Sequence, residues 1–127
     1  MFSPDLERRA FRAPNGEFGW TRDDARVVVQ VLAQYRRAIL GGELWWVAPG
    51  ASEWTGLIPQ RSGLSGVYPW ETTRQAEESW DAFVARCAQE SLSAIDRWPA
   101  VDDLPVDLDG RVLYNLTWVS EAEFHRE

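Results

Sequence analysis

The chain contains no lysine; all 13 basic residues are arginine. That absence excludes a P-loop lysine, a Schiff-base lysine and the S-x-x-K hydrolase arrangement together. Histidine occurs once, as His125, in a stretch of chain where ends usually fray. A multi-histidine metal site is excluded, and a histidine-based triad is not expected. The lone cysteine, Cys87, leaves no internal disulfide and no thiolate zinc site. No apolar run approaches the roughly 20 residues that a spanning helix needs. Met1-Phe2-Ser3-Pro4-Asp5 shows no basic region leading into an apolar one, so no signal peptide is expected and the cytoplasm is the expected location. The sequon Asn115-Leu116-Thr117 carries no weight in such a chain. Arginine-only, alanine-rich usage points to a GC-rich bacterial genome, which is a statement about codons.

What is present is ordinary in bulk. A length of 127 residues is read as one domain, 1–127, with 1–20 as a loosely packed N-terminal arm. Hydrophobic residues make up 45% and charged residues 26%, the range of a globular chain rather than a disordered one. Acids number 20 against the 13 arginines, for a net charge of −7. That sign disfavours nucleic-acid binding, which needs clustered positive charge. With so little catalytic equipment, the chain is expected to work by binding rather than by catalysis, with no cofactor and no metal.

The expected element order is α-β-β-β-α-β, with a short N-terminal helix at Ser3-Pro4. Asn15-Gly16 marks a turn. A helix is expected over 22–40, capped by Thr21, with Val28, Leu32, Tyr35 and Ile39 as its stripe, widened by Val27 and Val31. Gly41-Gly42 reads as its stop. Segments 43–48, 54–59 and 65–70 read as a meander of three short strands, with Pro59 and Pro69 at strand ends or an edge. A second helix lies between 73 and 98, capped by Thr73 or Ser79 and striped by Trp80, Phe83, Val84, Cys87, Ala88, Leu92 and Ile95. After the Asp109-Gly110 turn, 111–119 is a strand with Val112, Tyr114, Leu116 and Trp118 on one face. The fold class is therefore α+β, two amphipathic helices on one face of a small antiparallel sheet.

Eight tryptophans are the strongest compositional signal, and four of them fall between residues 43 and 70. Two readings stand. The rings complete the core and stack on arginines, or they form an exposed patch of binding hot spots. Period-2 geometry puts Trp45 and Trp46 on opposite faces, so one faces away from the helices unless something covers it. Glu43, Glu53 and Glu71 punctuate the same region; a glycosidase pair or a cationic cage is conceivable there, but solvated glutamates are the commoner case. The acidic run with Asp102, Asp103, Asp107 and Asp109 fails as an EF-hand, since Pro105 and Leu116 occupy ligand positions. It remains either an acidic loop or a patch for a basic partner. Cys87 falls mid-stripe and reads as core. No serine sits in a nucleophile elbow.

The expectation is thus an acidic protein-binding module, of inhibitor or immunity type, docking a basic protein. Its named contacts are Trp45, Glu53, Trp54, Trp70, Glu71, Asp102, Asp103 and Asp107. A component of a bacterial or phage assembly would share these features. The alternative is a small-ligand pocket or carboxylate-dependent enzyme lined by the same residues with Tyr68 and Tyr114. Nucleic-acid mimicry by the acidic surface is a third, smaller alternative.

Overall fold

The computed structural model describes residues 1–14, 16–47, 56–57, 70–97 and 111–125. Along the chain run α1 (Pro4–Arg9), β1 (Phe11–Arg12), β2 (Phe18–Gly19), α2 (Arg22–Gln34), β3 (Ala38–Val47), β4 (Gly56–Leu57), β5 (Trp70–Glu71), α3 (Trp80–Arg97), β6 (Arg111–Val119) and α4 (Glu121–His125). The fold is α+β, with α2 and α3 packed on one face of an antiparallel sheet. The short hairpin β1–β2 and helix α4 are additions to the expected order.

The helices begin where their hydroxyl caps stand. Ser3 Oγ accepts the Leu6 N–H at 3.1 Å, Thr21 Oγ1 that of Asp24 at 3.3 Å, and Ser79 Oγ that of Ala82 at 3.1 Å. Each cap is worth about 1 kcal/mol. Helix α2, however, stops at Gln34 rather than at residue 40. The Arg36 N–H donates to the Ala33 carbonyl at 3.0 Å and the Arg37 N–H to that of Leu32 at 2.8 Å, with Arg36 at φ 56°. That is a Schellman closure with arginine in the left-handed position that glycine usually takes. Arg36 is held from α3: its Nε donates to Asp81 Oδ1 at 2.8 Å, and its carbonyl accepts the Trp80 indole N–H at 2.8 Å. Ile39 reaches the core in the strand as it would in a helix, so the 3.6-residue period runs past the true helix end. The buried face of α2 is Ala25, Val28, Val29 and Leu32, while Val27 (45%) and Tyr35 (51%) are exposed.

Strand β3 is the centre of the sheet. On one edge β6 pairs with it from Ala38↔Val119 to Val47↔Arg111, with a bulge between Ile39 and Gly41. On the other edge lie both β4, through Trp45↔Leu57, and β5, through Gly41↔Glu71 and Gly42↔Trp70. These two pieces share one edge of β3, instead of forming consecutive strands of a meander. The residues 48–55 and 58–69 that would complete such a meander lie outside the described ones. Strand β6 matches its expected bounds, and Val112, Tyr114, Leu116 and Trp118 pack toward the helices.

The opposite face is covered as well. Trp45 and Leu113 form a second small core with Ala13 and, at its margin, Phe11. The N-terminal segment is therefore packed: Leu6, Ala13 and Trp20 are buried. Two glycines make room for the indoles. A Cβ on Gly19 would stand 2.5 Å from Trp45 Cε3, and one on Gly42 would stand 2.5 Å from Trp70 Cζ2 and 2.8 Å from the Asn115 carbonyl oxygen. Real Cβ atoms do not approach so closely. Replacing Gly42 with Ala should lower stability by about 1–3 kcal/mol through overpacking, read as a shifted urea midpoint. An unchanged midpoint would show that the Trp70 ring has space to move.

Candidate functional site

Of the residues expected to bind a partner, Trp45, Trp70 and Glu71 are described; Glu53, Trp54, Asp102, Asp103 and Asp107 lie outside the described residues. Trp45 is only 2% exposed and Trp70 only 8%. The Trp45 indole N–H donates to Glu43 Oε1 at 2.9 Å, and that of Trp70 donates to Ser91 Oγ at 3.2 Å, so each ring is buried with its polar atom satisfied. Both tryptophans are core residues, which corrects their reading as exposed anchors. The reason is cover: the β1–β2 hairpin closes over Trp45, and α3 closes over Trp70.

Glu71 stays exposed at the end of β5. It pairs with Gly41, which in turn pairs across its other edge with Thr117, so the three stand abreast. Because Gly41 has no side chain, the row forms a cleft of 240 Å³ lined by Leu40, Gly41, Trp70, Glu71 and Thr117. A second, more polar cleft of 470 Å³ shares Trp70 and Glu71 and reaches Gln89, Glu90, Ser93 and Arg97 on α3. Glu71 is the charged group common to both.

Of the remaining candidates, Tyr68 lies outside the described residues, and Cys87, Tyr114 and His125 are accounted for by the fold. Cys87 is fully buried, and that burial pushes its thiol up to about 12, so it packs as a small hydrophobe rather than a nucleophile. Tyr114 is buried too, which raises its phenol above the usual value, opposed by the Arg22 hydrogen bonds. Its hydroxyl accepts from Arg22 Nε at 3.1 Å and Nη2 at 3.0 Å and sits 3.4 Å from the Ile95 carbonyl, so it cannot line an open pocket. His125 lies 3.7 Å from Glu121 on α4, beside the rings of Phe124 and Trp80. Among the described residues, no group of three or more His, Cys, Asp or Glu could hold a metal ion, and no helix is long and apolar enough to cross a membrane.

Arginine is used as internal fastening. Arg9 grips Asp24 with two 3.0 Å bonds, Arg26 binds Asp96, and Arg36 binds Asp81. Arg12 lies 4.7 Å over the Phe18 ring, and Arg74 lies 5.6 Å over both Trp80 and Phe124. Arg86 bonds Glu78 Oε1 at 2.8 Å and also reaches Glu90 and the Thr73 carbonyl. The Thr72 hydroxyl donates to Glu90 Oε2 at 2.6 Å, so the segment between β5 and α3 is clamped at both ends. Glu71, by contrast, makes no ion pair among the described residues.

No family model, curated protein or solved structure matches the chain.

Two outcomes follow from this geometry. Trp70→Ala should cost about 3–5 kcal/mol, as indole truncations in cores do, whereas Glu71→Gln should stay within about 0.5 kcal/mol. Chemical denaturation of the two variants separates a core ring from a surface carboxylate. The second concerns acid. Hydrogen bonds from Arg86 and then from the Gln75 N–H lower the Glu78 carboxyl to about 2. A depressed folded value stabilises above the ordinary carboxylate range and is lost as pH falls through about 4 toward 2. Melting temperatures over that window should fall less steeply in Glu78→Gln than in the parent; parallel slopes would show that Glu78 is not the group responsible.

Proposed function

We propose that the chain is an acidic protein-binding module of the bacterial cytoplasm, of inhibitor or immunity type, that docks a basic protein partner. The supporting observation is the allotment of charge. The arginines described above are tied to carboxylates, rings and carbonyls within the fold, while among the described residues Glu7, Glu71 and Glu77 stand exposed in a chain whose net charge is −7. Such a surface accelerates encounter with basic proteins and repels acidic ones. Glu71, beside the open clefts, is the described carboxylate best placed to meet a partner's arginine or lysine. The run holding Asp102, Asp103 and Asp107 contains no basic residue from 98 to 110 and adds to the same field, save for Arg111 that follows it. Trp45 and Trp70 leave the list of contacts and support the surface from beneath.

The test is retention of host proteins on the immobilised chain at low and then moderate salt, with Glu71→Arg and a combined Asp102→Asn, Asp103→Asn, Asp107→Asn variant in parallel. One basic protein held in fixed stoichiometry, shed by salt and weakened about tenfold or more by either variant, is the expected result. Retention indifferent to salt and to both variants would overturn the charge-based reading. A clean column, with a metabolite that shifts tryptophan fluorescence independently of salt, would favour the small-ligand alternative.

A further inference from the structure

The two edges of the sheet end differently. On the edge of β6 away from β3, the pairing among the described residues is at Trp20 alone: the Trp20 N–H donates to the Tyr114 carbonyl at 2.9 Å, and the Tyr114 N–H donates back at 2.7 Å. One residue earlier the ladder would continue from β2, but the Asn115 side-chain amide donates instead to the Phe18 carbonyl at 2.9 Å. The described ladder stops there. Strand alternation sends the N–H and C=O of Leu116 and Trp118 to the same side as those of Tyr114, away from β3. Neither residue has a backbone partner on that side among the described residues. A cleft of 320 Å³ opens along them.

Its walls differ in chemistry. One is aromatic, with Phe2 edge-on to Trp20 at 5.5 Å and to Trp118 at 6.3 Å. The other carries Glu17, Asn115 and Thr117, so the one charged residue among the described lining is acidic. A strand laid here would direct alternate side chains to the two walls. We propose that the β6 edge at Leu116 and Trp118 accepts an extended segment of a basic protein as an added strand, alternating apolar residues toward Phe2 and Trp118 with arginine or lysine toward Glu17. Backbone bonds supply the affinity of such strand addition, and the alternating walls supply the selectivity. The proposal rests on the protein-binding reading and deepens it by naming the docking edge and the form of the bound segment.

The experiment uses the full isotope-labelled chain and a capped synthetic hexapeptide of alternating arginine and valine. Two controls accompany it: the same peptide N-methylated at alternate amides, and a glutamate–valine peptide of equal length. Amide hydrogen exchange at Leu116 and Trp118 should slow by about tenfold or more at saturation. N-methylation should weaken binding about tenfold, the acidic peptide should not bind, and Glu17→Gln should weaken the arginine peptide and flatten its salt dependence. Unchanged exchange at both amides, equal binding of the N-methylated peptide, or no binding at millimolar peptide overturns strand addition. The two levels fail separately. If the host partner is retained but both amides exchange at their free rate in that complex, strand addition falls and the protein-binding reading stands. If no partner is retained, that reading falls, and the peptide arm still decides the edge.

Discussion

Strand β3 carries large apolar side chains on both faces, Leu44 toward the helices and Trp45 away from them, and both faces must be covered. Much of the architecture follows from that demand. Helices α2 and α3 close one side, and the hairpin near the N-terminus closes the other. In each layer an indole is seated on a glycine: Trp70 over Gly42, and Trp45 against Gly19. A strand glycine costs roughly 0.5–1 kcal/mol in backbone entropy. Burying the 150–250 Å² of an indole at about 25 cal/mol per Å² returns roughly 4–6 kcal/mol as an upper estimate. The glycines are therefore tolerated because they admit the rings, and a side chain at either position would cost more than it contributed.

That balance explains which parts of the structure were legible in the amino-acid order. Strand β6 could be read to the residue, since its alternation is strict and the Asp109-Gly110 dipeptide, a turn signal in the sequence, precedes it. The α3 stripe was equally plain: five of its seven side chains, Trp80, Phe83, Val84, Cys87 and Ile95, are buried, and Ala88 and Leu92 pack partly buried against the same core. Gly41-Gly42 misled because a glycine pair after an amphipathic stretch resembles a helix stop, while its purpose is contact with Trp70, distant in sequence. Nothing local marks Arg36 as the left-handed residue that ends α2; its conformation is held by Asp81 and Trp80 from another helix. Helix α4 did have a local signal. Ser120 and Glu123 form a reciprocal capping box, with the Glu123 N–H 3.2 Å from Ser120 Oγ and the Ser120 N–H 2.9 Å from Glu123 Oε1. The candidate site was less legible. Burial of Trp45 depends on a hairpin whose return over the sheet no periodicity announces, and composition alone could not tell a core indole from an exposed one.

The all-arginine inventory has a structural consequence. A guanidinium donates in a planar fork, so one side chain can bridge a carboxylate, a carbonyl and a ring face at once. Arg86 does this with Glu78, Glu90, the Thr73 carbonyl and the Phe83 ring, and Arg22 uses two donors of its fork on the one Tyr114 hydroxyl. Exposed pairs of this kind contribute only about 0–1 kcal/mol each. Their larger effect is on the field: cations folded back onto local acids cancel those charges at close range and leave the remaining carboxylates to set the long-range potential.

An acidic field and a sheet edge left unpaired among the described residues bear on each other. Unpaired strand edges invite pairing with any extended chain, including a second copy of the same protein, and natural sheets blunt them with bulges, proline or lysine. Here there is no lysine to place on the edge, and the bulge lies on β3 rather than β6. Charge can act in their stead. Two copies each carrying −7 repel at the approach distances where edge pairing begins, so self-association through β6 is opposed before any hydrogen bond forms. A basic chain meets the opposite force at the same edge. Under the proposed strand addition, one electrostatic property thus opposes self-pairing and attracts a basic segment, which is specificity by repulsion as well as by contact. The discrimination weakens as salt screens it, while the hydrogen-bonding capacity of Leu116 and Trp118 does not, so high ionic strength is the condition under which the edge would lose its selectivity first.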